Sequence, residues 1–145
     1  MRIARISLAV LFVLLFSRVQ PAAAFPEYFK AWQTEYLDNP EHKADPTFVE
    51  HVKKDVKCLV CHQGMKSKEN RNAYGAELAK ILTKKDKKNT DKIMAAFKTV
   101  GAMKAEGSKE TFDERIAAGK LPGGDLEALK IEPAKSAAKD EDAAK

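Results

Sequence analysis

Apolar side chains recur at three- and four-residue spacing along most of the chain, which is the period of amphipathic helices. Phe25, Tyr28, Phe29, Trp32, Tyr36 and Leu37 mark a first helix over 26–37, begun by Pro26 and stopped by Asn39-Pro40. A second starts near Pro46-Thr47 and carries Phe48, Val49, Val52, Val56 and Leu59 towards Cys61, with Gly64 closing it. A polar loop over 65–72 precedes a third helix with Tyr74, Leu78, Ile81 and Leu82 on one face. The run 84–89 is a charged connector, and Asn89 or Thr90 caps a helix whose face is Ile93, Ala96, Phe97, Val100 and Met103. Gly107-Ser108 breaks it. Thr111-Phe112-Asp113-Glu114 has the form of a capping box for a short helix ending at Gly119, and Leu126 and Leu129 mark a last helical turn. No strand-like alternation and no internal repeat occur, so the pattern predicts an all-α fold.

The two ends depart from this pattern. Arg2 and Arg5 precede an apolar run of 11 residues, Ile6 to Phe16, and small residues follow at Pro21-Ala22-Ala23-Ala24. A basic start, a short apolar stretch and an A-x-A site describe a secretory signal peptide over 1–24. The run falls well short of the ~18–20 apolar residues that span a bilayer, so no stable membrane span is expected. Residues 131–145 are rich in Ala, Lys, Asp and Glu and hold no aromatic residue. Such a stretch buries too little apolar surface to offset its ordering entropy and is expected to be a disordered charged tail. Residues 25–130 are left as one small domain.

The chemistry concentrates at Cys58-Leu59-Val60-Cys61-His62. Cys-x-x-Cys-His is the attachment signature of c-type haem. The two thiols can add to the two haem vinyl groups, and the adjoining imidazole can come up under the iron as an axial ligand. A thioredoxin-like redox pair should sit near a βαβ pattern, which is missing. Structural zinc needs four ligands, and Cys58 and Cys61 are the only cysteines, so zinc would have to recruit a distant histidine. A Cys58–Cys61 disulfide would close too small a loop to stabilise much. Export agrees with haem, since covalent attachment in bacteria takes place outside the cytoplasmic membrane. The expected cofactor is one covalent haem c bound by Cys58, Cys61 and His62, enclosed by a small cytochrome c-like helical domain.

Charge adds a hint about partners. Residues 25–145 hold 23 Lys and Arg against 21 Asp and Glu, but 14 basic and only 6 acidic residues fall between Glu50 and Lys104. Lys53, Lys54, Lys57, Lys66, Lys68 and Arg71 all lie near the motif in sequence. A basic rim can steer an acidic redox partner protein, or it can be a plain solvated surface. Nucleic acid is not expected, because the aromatics are not interleaved with the lysines. The aromatic face of helix 26–37 could serve a dimer as well as a core.

The ligand opposite His62 decides what such an iron does. Methionine suits electron transfer, and an open position allows a small gas to bind. Met65 is too close to His62 in sequence to reach the far face. His51 lies about three turns earlier on what reads as one helix, and so on the proximal side. His42 is in a polar loop that can fold over a haem. Met94 and Met103 lie on the helix that could cover the distal face, where core packing is the usual role of methionine. Met103, near a helix end before Ala105-Glu106-Gly107-Ser108, can approach an iron without straining a helix. Trp32, Tyr28, Tyr36, Tyr74 and Arg71 are candidates to bond a propionate or to be ordinary packing residues.

With these residues in place the chain resembles a small monohaem c-type cytochrome. The resemblance implies covalent haem on Cys58 and Cys61, proximal His62, and a distal methionine later in the chain, which Met103 matches by order. Residues 58–64 (Cys-Leu-Val-Cys-His-Gln-Gly), 70–75 (Asn-Arg-Asn-Ala-Tyr-Gly) and 111–122 (Thr-Phe-Asp-Glu-Arg-Ile-Ala-Ala-Gly-Lys-Leu-Pro) resemble small exported cytochromes of the planctomycete type. These are related to the heterodimeric haem protein of anaerobic ammonium oxidisers. That relative uses His/Cys axial ligation, and this chain has no cysteine beyond the motif, so neither that ligation nor gas binding carries over. The expectation is a periplasmic electron carrier rather than an enzyme, since no distal acid–base pair is evident. A small-gas binder or sensor with a weak or absent sixth ligand is the alternative.

Overall fold

A computed structural model describes residues 25–42 and 44–133. The expected signal peptide, and the tail from 134 onward, lie outside the described residues. The described residues form six α-helices: α1 Pro26–Tyr36, α2 Pro46–His51, α3 Ala73–Ile81, α4 Thr90–Gly101, α5 Phe112–Ala117 and α6 Leu126–Lys130. Among the described residues there is no strand, only isolated bridges between His62 and Arg71 and between Lys104 and Thr111. The all-α expectation stands.

The helix starts follow local hydrogen-bond chemistry. Four amides at a helix start lack intrahelical partners, and a side-chain oxygen just before the helix can accept from one or two of them. Asp45 accepts from the Thr47 and Phe48 amides, Asn72 from Gly75, and Asn89 from Lys92. Thr111 and Glu114 form the reciprocal capping box read from the sequence. A second box, Thr83 with Asp86, winds the lysine-rich run Lys84–Lys88 into a 3₁₀ turn where the pattern predicted only a connector.

Helix α4 lies at the centre, touching α1, α3, α5 and the Lys84–Lys88 turn. Ile93, Ala96, Phe97 and Val100 form its buried face. Trp32 and Tyr36 stack against each other with ring centroids 5.1 Å apart, and Tyr36 continues to Phe97 at 6.2 Å. Tyr74 meets Phe112 edge-on at 5.2 Å. The Tyr36 hydroxyl donates to Asp113 Oδ1 at 2.9 Å, so the one polar tip in this cluster that faces a carboxylate is satisfied.

The second helix corrects the sequence reading. The α-helical ladder runs only to His51, widens into a π turn over Val52–Val56 and reverses at Lys57 into a 3₁₀ turn, Lys57–Val60. Cys58 and Cys61 therefore sit on a separate turn and not at the end of a continuous helix. Valines at 49, 52, 56 and 60 are stiff in χ1 and weaken a helix. Beyond the break, the carbonyls of residues 59–62 are taken by Asn72 and do not join an i, i+4 ladder.

Lys57 has φ 48 and ψ −116, and it is the only described non-glycine residue with positive φ. A lysine there carries strain of about 1–3 kcal/mol. Glycine adopts this region freely, at an added chain-entropy cost of roughly 0.5–1 kcal/mol. Lys57→Gly is therefore expected to raise stability by about 1 kcal/mol in a urea melt. A fall in the midpoint would show that this turn is not held in the strained conformation.

Candidate functional site

Cys58 and Cys61 are both half-buried free thiols at either end of the Leu59–Val60 pair, whose side chains are buried in the core. The Cys61 and His62 amides both point back to the Cys58 carbonyl, at 3.2 and 3.0 Å, which curls the motif into one tight turn. Burial, and then the neighbouring Cys58, push the Cys61 thiol up to about 12, so it is protonated near neutral pH.

His62 is oriented by its backbone surroundings. Its Nδ1 lies 3.2 Å from the Asn70 carbonyl oxygen. A carbonyl only accepts, so Nδ1 carries the proton and Nε2 keeps its lone pair. The Lys68 backbone is the second backbone group beside the ring, and no bond of good geometry to Nε2 is formed among the described residues. Burial lowers the imidazole pKa, opposed by the backbone bonds to Asn70 and Lys68 and assisted by the charges of Lys68 and Arg71, so the ring is neutral near pH 7. A neutral imidazole with Nδ1–H on a carbonyl is the form in which histidine binds a metal through Nε2.

The loop behind His62 is tied to the C-terminal segment. Asn70 accepts from His62 and from the Gln63 amide at 3.1 Å, while its own side-chain amide donates to Glu132 Oε2 at 3.1 Å. Glu132 Oε1 accepts from the Lys66 amide at 2.6 Å, and the Gly64 amide donates to the Leu129 carbonyl at 2.8 Å. Gly64 has φ +83 and lies against the Glu132 carboxylate, leaving no room for a Cβ. Glu132 belongs to the stretch read from sequence as tail, yet it braces the loop that orients His62.

On the other side of the turn Gly75, at the start of α3, lies so close to Cys61 that a Cβ would overlap the Cys61 carbonyl oxygen. Asn72 fills the remaining space, buried at 3% exposure. Both lie in the 70–75 segment that carries the family resemblance, but the sequence alone assigns neither a role in the site, and the hold of Asn72 on the turn depends on tertiary contact.

The structure does not bring the sixth-ligand candidates to His62. His51 Nδ1 pairs with Asp55 at 3.0 Å on the surface, and His42 Nε2 lies 3.4 Å from Glu35 with its ring against Tyr36. Met94 packs partly buried against the core. Met103 is 37% exposed and lies beyond the end of α4, where its carbonyl accepts from the Phe112 amide at 2.9 Å. No hydrogen bond or ring contact among the described residues joins any of these four to the motif.

Several observations bear on whether a haem fits these residues. No group of three or more His, Cys, Asp or Glu side chains converges as a metal-ion site among the described residues, which removes support for zinc. The donor set of two free thiols and an Nε2-open neutral imidazole suits the cofactor. Trp32 Nε1 and the Tyr74 hydroxyl are buried close to each other and to the Tyr36 hydroxyl, and Tyr74 also lies beside Cys61. Tyr28, by contrast, is used up by the Thr83 carbonyl at 2.6 Å. Open grooves along α1 and between α2 and the end of α5 are not lined by the motif. The donor chemistry at residues 58, 61 and 62 is of the kind a covalent haem requires.

No described helix is long and apolar enough to cross a membrane. Compared with known proteins, the chain matches no family model, no curated protein and no solved structure.

Proposed function

We propose that this chain is a periplasmic monohaem c-type cytochrome, with no enzymatic activity of its own, that carries single electrons between redox partners. The observation that carries the reading is His62: neutral, with Nδ1 on the Asn70 carbonyl and Nε2 open, next to two free thiols at Cys-x-x-Cys-His spacing. When bound, haem c supplies a one-electron iron couple. The chain's own residues do the rest. Cys58 and Cys61 would hold it covalently, His62 would supply a nitrogen ligand, and the Asn70 carbonyl fixes the ring and raises its basicity. The signal peptide read at 1–24 supports export to the compartment where attachment occurs. The likeness to exported planctomycete cytochromes points the same way.

Lys57 and Lys66 are exposed and Lys68 is half-exposed near the motif, and none of the three forms an ion pair among the described residues. Lys53 and Lys54 pair instead with Asp38 and Glu50. The unpaired three suit long-range steering of an acidic partner, an effect that weakens as salt rises.

We assign Met103 as the sixth ligand. Its carbonyl is anchored by the Phe112 amide, its side chain is not packed into the core, and it lies beyond the end of α4, where a ligand does not strain the helix. The test is absorption spectroscopy of the haem-loaded protein with and without carbon monoxide. A reduced low-spin spectrum unchanged by carbon monoxide, and lost in Met103→Ala but not in Met94→Ala, His51→Ala or His42→Ala, is the expected result. A high-spin spectrum that shifts with carbon monoxide would sink the carrier reading in favour of a small-gas binder.

A further inference from the structure

We infer that Asn72 is the positioning residue of the attachment turn: its side-chain amide holds the backbone of residues 59–62 in the shape that presents Cys58, Cys61 and His62 together. The inference rests on the haem reading and names a part of the site that the motif itself does not contain.

Asn72 is the one buried residue of polar type among those described. Its Nδ2 donates to the carbonyls of Leu59 at 2.9 Å, Val60 at 3.0 Å and His62 at 3.3 Å. Its backbone amide donates to the remaining carbonyl, that of Cys61, at 3.1 Å. One residue thus satisfies four consecutive carbonyls that a 3₁₀ turn ending at Val60 would leave open. Two side-chain N–H bonds serve three backbone carbonyls, so the longest is shared. Its Oδ1 is occupied separately, accepting from the Gly75 amide at 2.9 Å as the cap of α3.

The amide is hemmed in from both sides. Gly75 brings α3 against Cys61, and Gly123 lies so close to the Asn72 side chain that a Cβ there would overlap it. Rotating the amide out of the turn therefore requires moving the Leu121–Gly124 loop as well. This is the support that sets the rotamer of a positioning residue, by packing rather than by its own preference.

The two roles of Asn72 separate chemically. An aspartate in its place would be as good a helix cap as asparagine, because the cap uses only Oδ1. It would have no N–H to donate, and its second oxygen would face three carbonyl oxygens. A purely structural cap therefore predicts no effect of Asn72→Asp, whereas the positioning role predicts a large one. The variant is compared with wild type after export with a haem-maturation system, reading covalent haem per chain, the ratio of two-thioether to one-thioether product and the proximal-ligand signature by electron paramagnetic resonance. The expected result is a fall in two-thioether product of about tenfold or more, the factor that one or two lost buried hydrogen bonds correspond to, with helix content unchanged by circular dichroism. Gly123→Ala, which leaves Asn72 in place and displaces its amide, is expected to shift the same ratio in the same direction.

A second measurement needs no variant. The Asn72 side-chain amide protons of the wild-type protein should exchange with solvent as slowly as the core backbone amides of α4. Exchange at the rate of a surface asparagine overturns the inference. So does Asn72→Asp that carries haem in wild-type yield with an unaltered proximal signature. Wild-type protein that takes up no covalent haem, with the Asn72 amide still protected, overturns the haem reading and with it the positioning role.

Discussion

Gly75→Ala is expected to destabilise the fold by about 3 kcal/mol or more, at the upper end of overpacking costs. Local propensity argues the other way. Gly75 lies in the first turn of α3, and alanine there would be better by roughly 1 kcal/mol. Packing decides the sign. The added Cβ would overlap the Cys61 carbonyl oxygen, and both atoms belong to the backbone or are fixed to it. No side-chain rotation relieves that clash, so α3 must move away from the attachment turn. The Asn72 bond to the Cys61 carbonyl would stretch with it. Urea melts of the two proteins check this directly. A variant as stable as wild type, or more so, would mean that α3 does not approach Cys61 this closely.

His62→Ala is expected to abolish the low-spin spectrum of the haem-loaded protein while leaving covalent attachment through Cys58 and Cys61 in place. The imidazole is the one motif side chain whose donor atom is aimed by a partner and otherwise unengaged. Its loss costs the apo fold little, about 1 kcal/mol for one hydrogen bond to a carbonyl. The effect on the iron and the effect on stability should therefore come apart. Absorption spectra and melts on the same samples read both. A low-spin spectrum that survives the change would mean that another residue is the proximal ligand.

The helical plan was legible in the sequence because it rests on short-range physics. Apolar spacing placed α1, α3 and α4 within a residue or two, and the Thr111-x-x-Glu114 pair announced α5 by its own reciprocal chemistry. The break at Lys57 was not legible. Phe48, Val49, Val52, Val56 and Leu59 fit a helical stripe equally well with or without a π turn, and apolar spacing does not register the reversal at Lys57. The same limit hid Glu132. Its segment has the composition of a tail, and composition does not register that one carboxylate can reach the Lys66 amide and the Asn70 side chain. The expectation at Cys58, Cys61 and His62 comes from a five-residue spacing that encodes their chemistry, whereas His42, His51, Met94 and Met103 differ only in where the fold carries them.

The account turns on whether Cys58 and Cys61 hold a haem covalently. The direct measurement is the intact mass and absorbance of the exported protein after denaturation in acid, beside a Cys58→Ser, Cys61→Ser double variant. The expected result is one haem retained per wild-type chain and none on the variant. Wild-type protein that releases all its haem, or that carries a Cys58–Cys61 disulfide with no haem, would contradict it.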